Sequence, residues 1–237
     1  MCGGLKKNRP LKYIATMEVV RKSHNLAKRD LIQRYTHPGA AVLDVGCGYG
    51  GDLNKWKHAQ ANVTMCDPST AALDEAHKRM QNLNMQCHIF HGVVDNAPRE
   101  KYDVICYNFS LQYVFGSKRS FWTTMMAIKD RIKRGGRVFG CIPDSTAIIM
   151  NPKFKDEYGN MMEIQKFNGD YGDRVNVMLV DTPYYNGKFI PEPIAHKEMF
   201  ITWMENNGFR LIEWSPLLDH ETQIISDMYS KFCFVAM

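Results

Sequence analysis

The segment Val42-Leu43-Asp44-Val45-Gly46-Cys47-Gly48-Tyr49-Gly50-Gly51-Asp52 carries the densest chemistry in the chain. It reads as an apolar strand running into a glycine-rich turn and then a helix. Gly46, Gly48 and Gly50 suit a backbone of positive φ that a ligand can approach closely. The helix start that follows offers free N–H groups to a negative group such as a carboxylate. Asp67 ends the next apolar run, 21 residues after Gly46. There a carboxylate can accept hydrogen bonds from both hydroxyls of a ribose. Asp95 follows the third run and can accept from the exocyclic amine of an adenine, with Val94 and Phe109 giving the ring apolar surface. Three strand ends so equipped describe a nucleoside site in the crevice of an open parallel sheet.

Two nucleoside cofactors fit that outline. Gly46, Gly48 and Gly51 satisfy the G-x-G-x-x-G spacing of dinucleotide sites. Asp44 argues for the other. A carboxylate at this strand end attracts the ammonium and sulfonium of S-adenosylmethionine, whereas it repels a pyrophosphate. Singly, each aspartate also fits a turn-capping role, as Asp67 does before Pro68. Three at successive strand ends beside a glycine turn favour the site.

The elements that must hold these residues follow from Gly and Pro punctuation and hydrophobic period. Short apolar runs at 41–45, 63–67, 86–90, 102–107 and 137–142 read as strands. Segments 52–61, 69–82 and 120–134 are long enough for crossover helices. Strand and helix in alternation give an α/β fold with a mostly parallel sheet and right-handed crossovers. Residues 12–35 read as one or two helices. After Pro143 the rhythm fails, and 144–187 reads as an insertion. A helix at 196–207 and strands at 210–214 and 232–236 complete one domain over 1–237.

The composition, 45% hydrophobic and 23% charged, is that of an ordinary globular chain. No run approaches the roughly 18 apolar residues of a membrane span, and MCGGLKKNRP lacks the apolar core of a secretory signal. A soluble intracellular protein is the expectation. Cys2, Cys47, Cys66, Cys87, Cys106, Cys141 and Cys233 form no C-x-x-C pair, so they read as reduced core thiols and no metal is expected. Residues 1–34 hold nine Lys or Arg against Glu18 and Asp30. The net charge of +5 is therefore amino-terminal, in a basic helical segment over 1–36 that attracts polyanions. A solvated basic helix face reads the same way.

Arg21-x-x-His24-Asn25-x-x-Lys28, placed directly before the first strand, together with Asp44-Val-Gly-Cys-Gly-Tyr-Gly-Gly-Asp-Leu-Asn-Lys-Trp56, resembles the mRNA cap guanine-N7 methyltransferases. The resemblance runs from about Arg21 to the end. It implies a Rossmann-like seven-stranded class I methyltransferase fold, with the insertion on the cap side. It also implies that Lys28 and Asp44 contact the methionine end of S-adenosylmethionine, Asp67 the ribose and Asp95 the adenine. Phe109-Ser-Leu-Gln-Tyr-Val-Phe115 resembles the family's F-S-x-H-Y-x-F segment between cofactor and cap. Glu192 matches a glutamate that accepts hydrogen bonds from the guanine edge, and Tyr229 a tyrosine near the cap pocket. With His24, Asn25, Gln112 and Tyr113 these make the implied substrate-binding set. The chain departs from the pattern where Gln112 replaces a histidine, His24 an asparagine and Val175 an aromatic. Tyr171, Tyr184 and Tyr185 are candidates for the stacking face.

Capping methyltransferases of large DNA viruses vary in such ways, and the compact chain resembles a domain of one. The resemblance implies action on the terminal guanine of a GpppN end, in the host cytoplasm if viral and otherwise in the nucleus. Guanine N7 carries a lone pair at neutral pH, so no general acid or base is expected among the residues. With no K-x-D-G motif in the sequence, guanylyltransferase and triphosphatase modules are expected as separate or fused partners. Two other readings fit the residues alone: a methyltransferase for a small-molecule or protein acceptor, and a non-catalytic module that binds RNA or a capping partner.

Overall fold

The computed structural model describes residues 11–180, 182, 184, 185 and 187–237, with side chains from Val20 onward. The first ten residues of the basic run, Cys2 included, lie outside the described residues, as do the side chains of Tyr13, Ile14 and Met17. The segment expected as one or two helices is a single helix, α1 (Leu11–Tyr35). Val20, Ala27, Leu31 and Ile32 are buried along it. Their spacing puts them on one stripe of a 3.6-residue period.

Seven strands form the principal sheet: β1 (Ala41–Val45), β2 (Asn62–Asp67), β3 (His88–His91), β4 (Tyr102–Asn108), β5 (Ile132–Pro143), β10 (Phe209–Pro216) and β11 (Tyr229–Ala236), in the order β10-β11-β5-β4-β1-β2-β3. β1 pairs in parallel with both β2 and β4, whereas β11 runs antiparallel to β5 and β10. The crossover helices are α2 (Leu53–His58), α3 (Thr70–Asn82) and α4 (Lys118–Arg131); α6 (Lys197–Asn206) precedes β10. Ser69 and Ser117 cap α3 and α4 by accepting from the N–H of Ala72 and Ser120. Successive crossovers leave β1 in opposite directions, toward β2 and β3 on one side and β4 and β5 on the other. That reversal opens a crevice above the carboxyl ends of β1 and β4, where open α/β sheets bind ligands.

The stretch without a clear period is not irregular. It holds α5 (Ser145–Met150) and a second sheet of β6 (Lys153–Lys155), β7 (Met161–Lys166), β8 (Arg174–Met178) and β9 (Ile190–Pro193), all antiparallel. Met162, Val175, Val177 and Ile194 share one apolar cluster with Phe139, Ile225 and Met228, so this sheet is packed onto the principal one. Asp156 adds a polar tie, accepting from Asn160 Nδ2 at 2.8 Å and from the Ile225 N–H at 3.0 Å. No described helix is long and apolar enough to cross a membrane.

Candidate active site

The crevice is a cavity of about 930 Å³. It is lined by Gly46, Gly48 and Tyr49 after β1, by Asp67 and Ser69 after β2, by Val94 and Asp95 after β3, and by Phe109, Ser110 and Tyr113 after β4. Tyr184 and Tyr185, from the link between β8 and β9, close it on the side of the small sheet.

The glycine turn owes its shape to two positions. Gly46 has φ of +72° and lies so near β4 that a Cβ would meet Ser110 Cβ at 2.4 Å. Ser110 Oγ in turn donates to the carbonyl of Val45 at 2.6 Å. Gly48, at φ of +52°, has open space where a side chain would stand, so its backbone is accessible from the cavity. Gly50 serves the helices instead, because a Cβ there would strike Leu53 and Ala76.

Asp67 does two jobs with one carboxylate. Its Oδ2 accepts from the Gly48 N–H and its Oδ1 from the Ser69 N–H, both at 2.9 Å. A carboxylate offers about four lone-pair sites, so two remain for ribose hydroxyls. The turn-capping role therefore leaves acceptor capacity facing the cavity. Asp95 is solvent-exposed at the cavity wall beside buried Val94. Phe109 has φ of +60°, a conformation that costs a non-glycine residue about 1–3 kcal/mol. Its N–H is held by the carbonyl of Cys141 at 2.8 Å, which fixes the ring at the cavity wall.

Lys28, Asn25 and Asp44 sit beneath this wall and do not line the cavity. Lys28 Nζ is 2.7 Å from Asp52 Oδ1, as is Lys55 Nζ. Asn108 Nδ2 donates to Asp52 Oδ2 at 2.9 Å, and Lys55 also donates to Asn25 Oδ1 at 2.8 Å. Asp44 is buried and accepts from Trp56 Nε1 at 2.9 Å. Burial raises the Asp52 carboxyl, but Lys28 and Lys55 outweigh it and hold its pKa at about 2. Burial, with neighbouring Asp52 next, drives Asp44 the other way, to about 7. Burial also pulls on Lys28, yet Asp52 keeps that ammonium above its ordinary value.

Of the residues expected on the acceptor side, Tyr113 lines the cavity, whereas Glu192 of β9, only 1% exposed, lies behind the wall with Gln112, His24 and Tyr229. Gln112 Nε2 donates to Glu192 Oε2 and the Tyr113 hydroxyl to its Oε1, each at 3.1 Å, and the Tyr185 hydroxyl donates to Oε1 as well. Burial raises the carboxyl above the usual range despite these three donors. Beside them, His24 stacks on Phe109 with centroids 5.1 Å apart, and Tyr229 meets both rings edge-on at 5.6 and 5.3 Å. Lys28 Nζ stands 6.0 Å from the same Phe109 ring. Burial, then Lys28, lowers the His24 imidazole to about 3, so it is neutral, with one ring nitrogen a donor and the other an acceptor, and its Nε2 lies 2.9 Å from Ser226 Oγ. Tyr171 packs on Phe121 at 5.3 Å, and Val175 is fully buried. Of the three tyrosines considered for stacking, Tyr184 and Tyr185 are the ones that reach the cavity.

Sequence reasoning passed over Asp52, which holds Lys28, and its other partners Lys55 and Asn108; it named Gln112, Tyr113 and Tyr185 as candidates on the substrate side without joining them to Glu192. Asp52 and Lys55 at i and i+3 beside the glycine turn were the one available signal. The partners of Glu192 lie 7 to 80 residues away in sequence, beyond any local pattern.

Strand order, glycine turn and acid-tipped crevice together define a class I S-adenosylmethionine-dependent methyltransferase fold. The same fold is found in an S-adenosylmethionine-dependent methyltransferase from Clostridium acetobutylicum, with a TM-score of 0.63, 13% identity, and 95% of this chain and 98% of that one covered. The glycopeptide N-methyltransferase MtfA complexed with S-adenosyl-L-methionine matches at 0.62 and 14% identity, over 91% and 94% of the two chains. The family is set by sequence: residues 5–231 match the mRNA (guanine-N(7))-methyltransferase domain, and the chain belongs to that family. Similar relatives include the mRNA cap guanine-N(7) methyltransferases of Saccharomyces cerevisiae, 33% identical over 95% of this chain and 58% of that protein, and of Candida glabrata, 32% identical over 79% and 47%. The chain thus spans about half the length of these curated relatives.

Proposed function

We propose that the chain transfers the methyl group of S-adenosylmethionine to N7 of the terminal guanine of an RNA cap. The observation that carries this is the buried Glu192 carboxylate, tied through the hydroxyls of Tyr113 and Tyr185 to the wall of the cavity that Asp67 and Asp95 also line. A deeply buried acid ringed by hydrogen-bond donors is an acceptor for the donor-rich N1 and N2 edge of guanine.

The donor set fits the cofactor. Asp67 keeps two free lone-pair sites for the ribose, Asp95 faces the adenine position beside Val94, and the uncluttered Gly48 backbone admits the methionine end. When bound, S-adenosylmethionine supplies an electrophilic methyl on a sulfonium. Lys28 and Asp44 act from beneath, through Phe109 and the turn, as an electrostatic floor. Gln112 and Tyr113 orient Glu192, while His24, Phe109 and Tyr229 form an apolar wall that excludes water. Because guanine N7 already presents a lone pair, these side chains align reactants and no proton acceptor is required. Such alignment can contribute roughly 7–11 kcal/mol.

Guanylyltransferase and triphosphatase activities belong in this reading to partner modules, and the compartment is that of the transcripts: host cytoplasm for a virus, nucleus otherwise. The test is transfer of labelled methyl to GpppA-capped RNA with the product position mapped. Label at guanine N7, absent with uncapped RNA, is the expected result; equal labelling of uncapped RNA, or none, overturns it.

A further inference from the structure

The cavity has an uneven charge distribution that cofactor and guanine leave unexplained. Its acidic lining residues, Asp67 and Asp95, stand on the sheet edge. Among the described lining residues Arg119 is the only cation. It is exposed and forms no ion pair or hydrogen bond with another described residue. Ser117, Ser120 and Thr123 line the cavity beside it, on the face that α4 repeats every three or four residues. The result is a stretch of hydrogen-bond donors in a cavity whose other charged lining residues are the carboxylates Asp67 and Asp95.

That stretch follows directly from the acceptor site. Gln112 and Tyr113, which hold Glu192, lie in the helical turn 111–116, and the chain enters α4 at Lys118 immediately after it. A guanosine read by Glu192 still carries its 5′ phosphates, which Asp67 and Asp95 repel. The donor stretch is the place in the cavity suited to take them.

We propose, resting on the cap reading above, that Arg119 receives the 5′–5′ phosphate bridge of the capped substrate. Guanidinium presents a planar fork of donors that matches phosphate oxygens two at a time. The hydroxyls of Ser117, Ser120 and Thr123 supplement it. The site makes the enzyme sensitive to what lies beyond the base: a capped end is held by base edge and phosphate together.

The experiment measures KM for GpppA-capped RNA across a series of NaCl concentrations, for the wild-type chain, Arg119→Ala and Arg119→Lys. Anisotropy with labelled capped RNA and calorimetry with S-adenosylmethionine accompany it. Arg119→Ala should raise both KM and the capped-RNA Kd at least about tenfold, the loss of a charge-assisted hydrogen bond. It should also reduce the slope of log KM against log salt by about one. Arg119→Lys should recover part of the affinity, since it keeps charge but not the fork. KM for free guanosine, which has no phosphate, should not follow the substitution. An unchanged KM and salt slope overturns the proposal, and so does a loss confined to S-adenosylmethionine affinity. A wild-type chain that leaves GpppA-capped RNA unmethylated overturns the cap reading first and this one with it.

Discussion

Lys28 Nζ and Asp52 Oδ1 meet at 2.7 Å with both side chains largely buried, and the same oxygen serves Lys55. One carboxylate thus pairs with two cations beneath the cavity wall. Removing it strands both. Asp52→Ala should cost about 3–5 kcal/mol of stability, the penalty for leaving buried charge without its partner. Denaturant unfolding reads this directly, and a loss below 1 kcal/mol would show that water reaches the two ammonium groups.

Asp67 is predicted to act on the cofactor and not on the acceptor. Asp67→Ala removes an ionised acceptor from two ribose hydroxyls, each charge-assisted bond being worth about 1.5–3 kcal/mol. Calorimetry should show S-adenosylmethionine Kd rising by at least about tenfold. A defect seen only in KM for capped RNA would reverse the assignment.

Glu192 gives acceptor use a pH dependence. Burial raises its carboxyl in the free protein, and only the ionised form accepts on both oxygens. As pH falls through that raised value, guanine has to compete with a proton. KM for capped RNA should therefore climb on acidification while pH is still above the ordinary carboxylate range. Glu192→Gln should show a high KM that is flat over the same interval; a parallel acid limb in the variant would assign the titration elsewhere.

Asp44 couples pH to stability. Its folded pKa, about 7, lies above the ordinary value of 3.8. Folding therefore binds a proton between these values, and the Asp44 contribution to stability falls as pH rises through them. Asp44→Asn retains an oxygen for Trp56 and carries no charge. Its stability advantage over the wild type should open between about pH 4 and 7 and level off above, at roughly 2–4 kcal/mol. Melting curves at pH 5 and 8 test this. A constant difference across that interval would mean Asp44 keeps its charge in the fold.

What could be read from sequence, and what could not, divides along the same physical line. β1, β2 and β4 are buried on both faces, so each stands out as an unbroken apolar run, and the site residues at their ends came with them. The small sheet did not stand out. β8, Arg174–Met178, alternates buried and more exposed positions over only five residues, and β7, Met161–Lys166, buries Met162 alone of its six, patterns too short or too weak to separate from loop. β5 begins at Ile132, five residues before the expected start, because the glycines at 135 and 136 read as a turn. Glu192 was found by resemblance, yet Gln112 lies 80 residues from it, and only the docking of β9 on the turn 111–116 joins them. The pairing of Lys28 with Asp52 likewise depends on how α1 lies across the principal sheet.

Asp67 ends β2 of the seven-stranded sheet and Asp95 lies in the turn after β3, whereas Glu192 rides on β9 of the four-stranded sheet. On the cap reading, the small sheet brings one acceptor-side carboxylate to partners that the principal scaffold supplies, Gln112 and Tyr113. The strands β6 to β9 follow one another in sequence with no strand of the principal sheet between them. Because Glu192 is held by Gln112 and Tyr113 of the turn after β4, the insert and the scaffold can change their chemistry only in step.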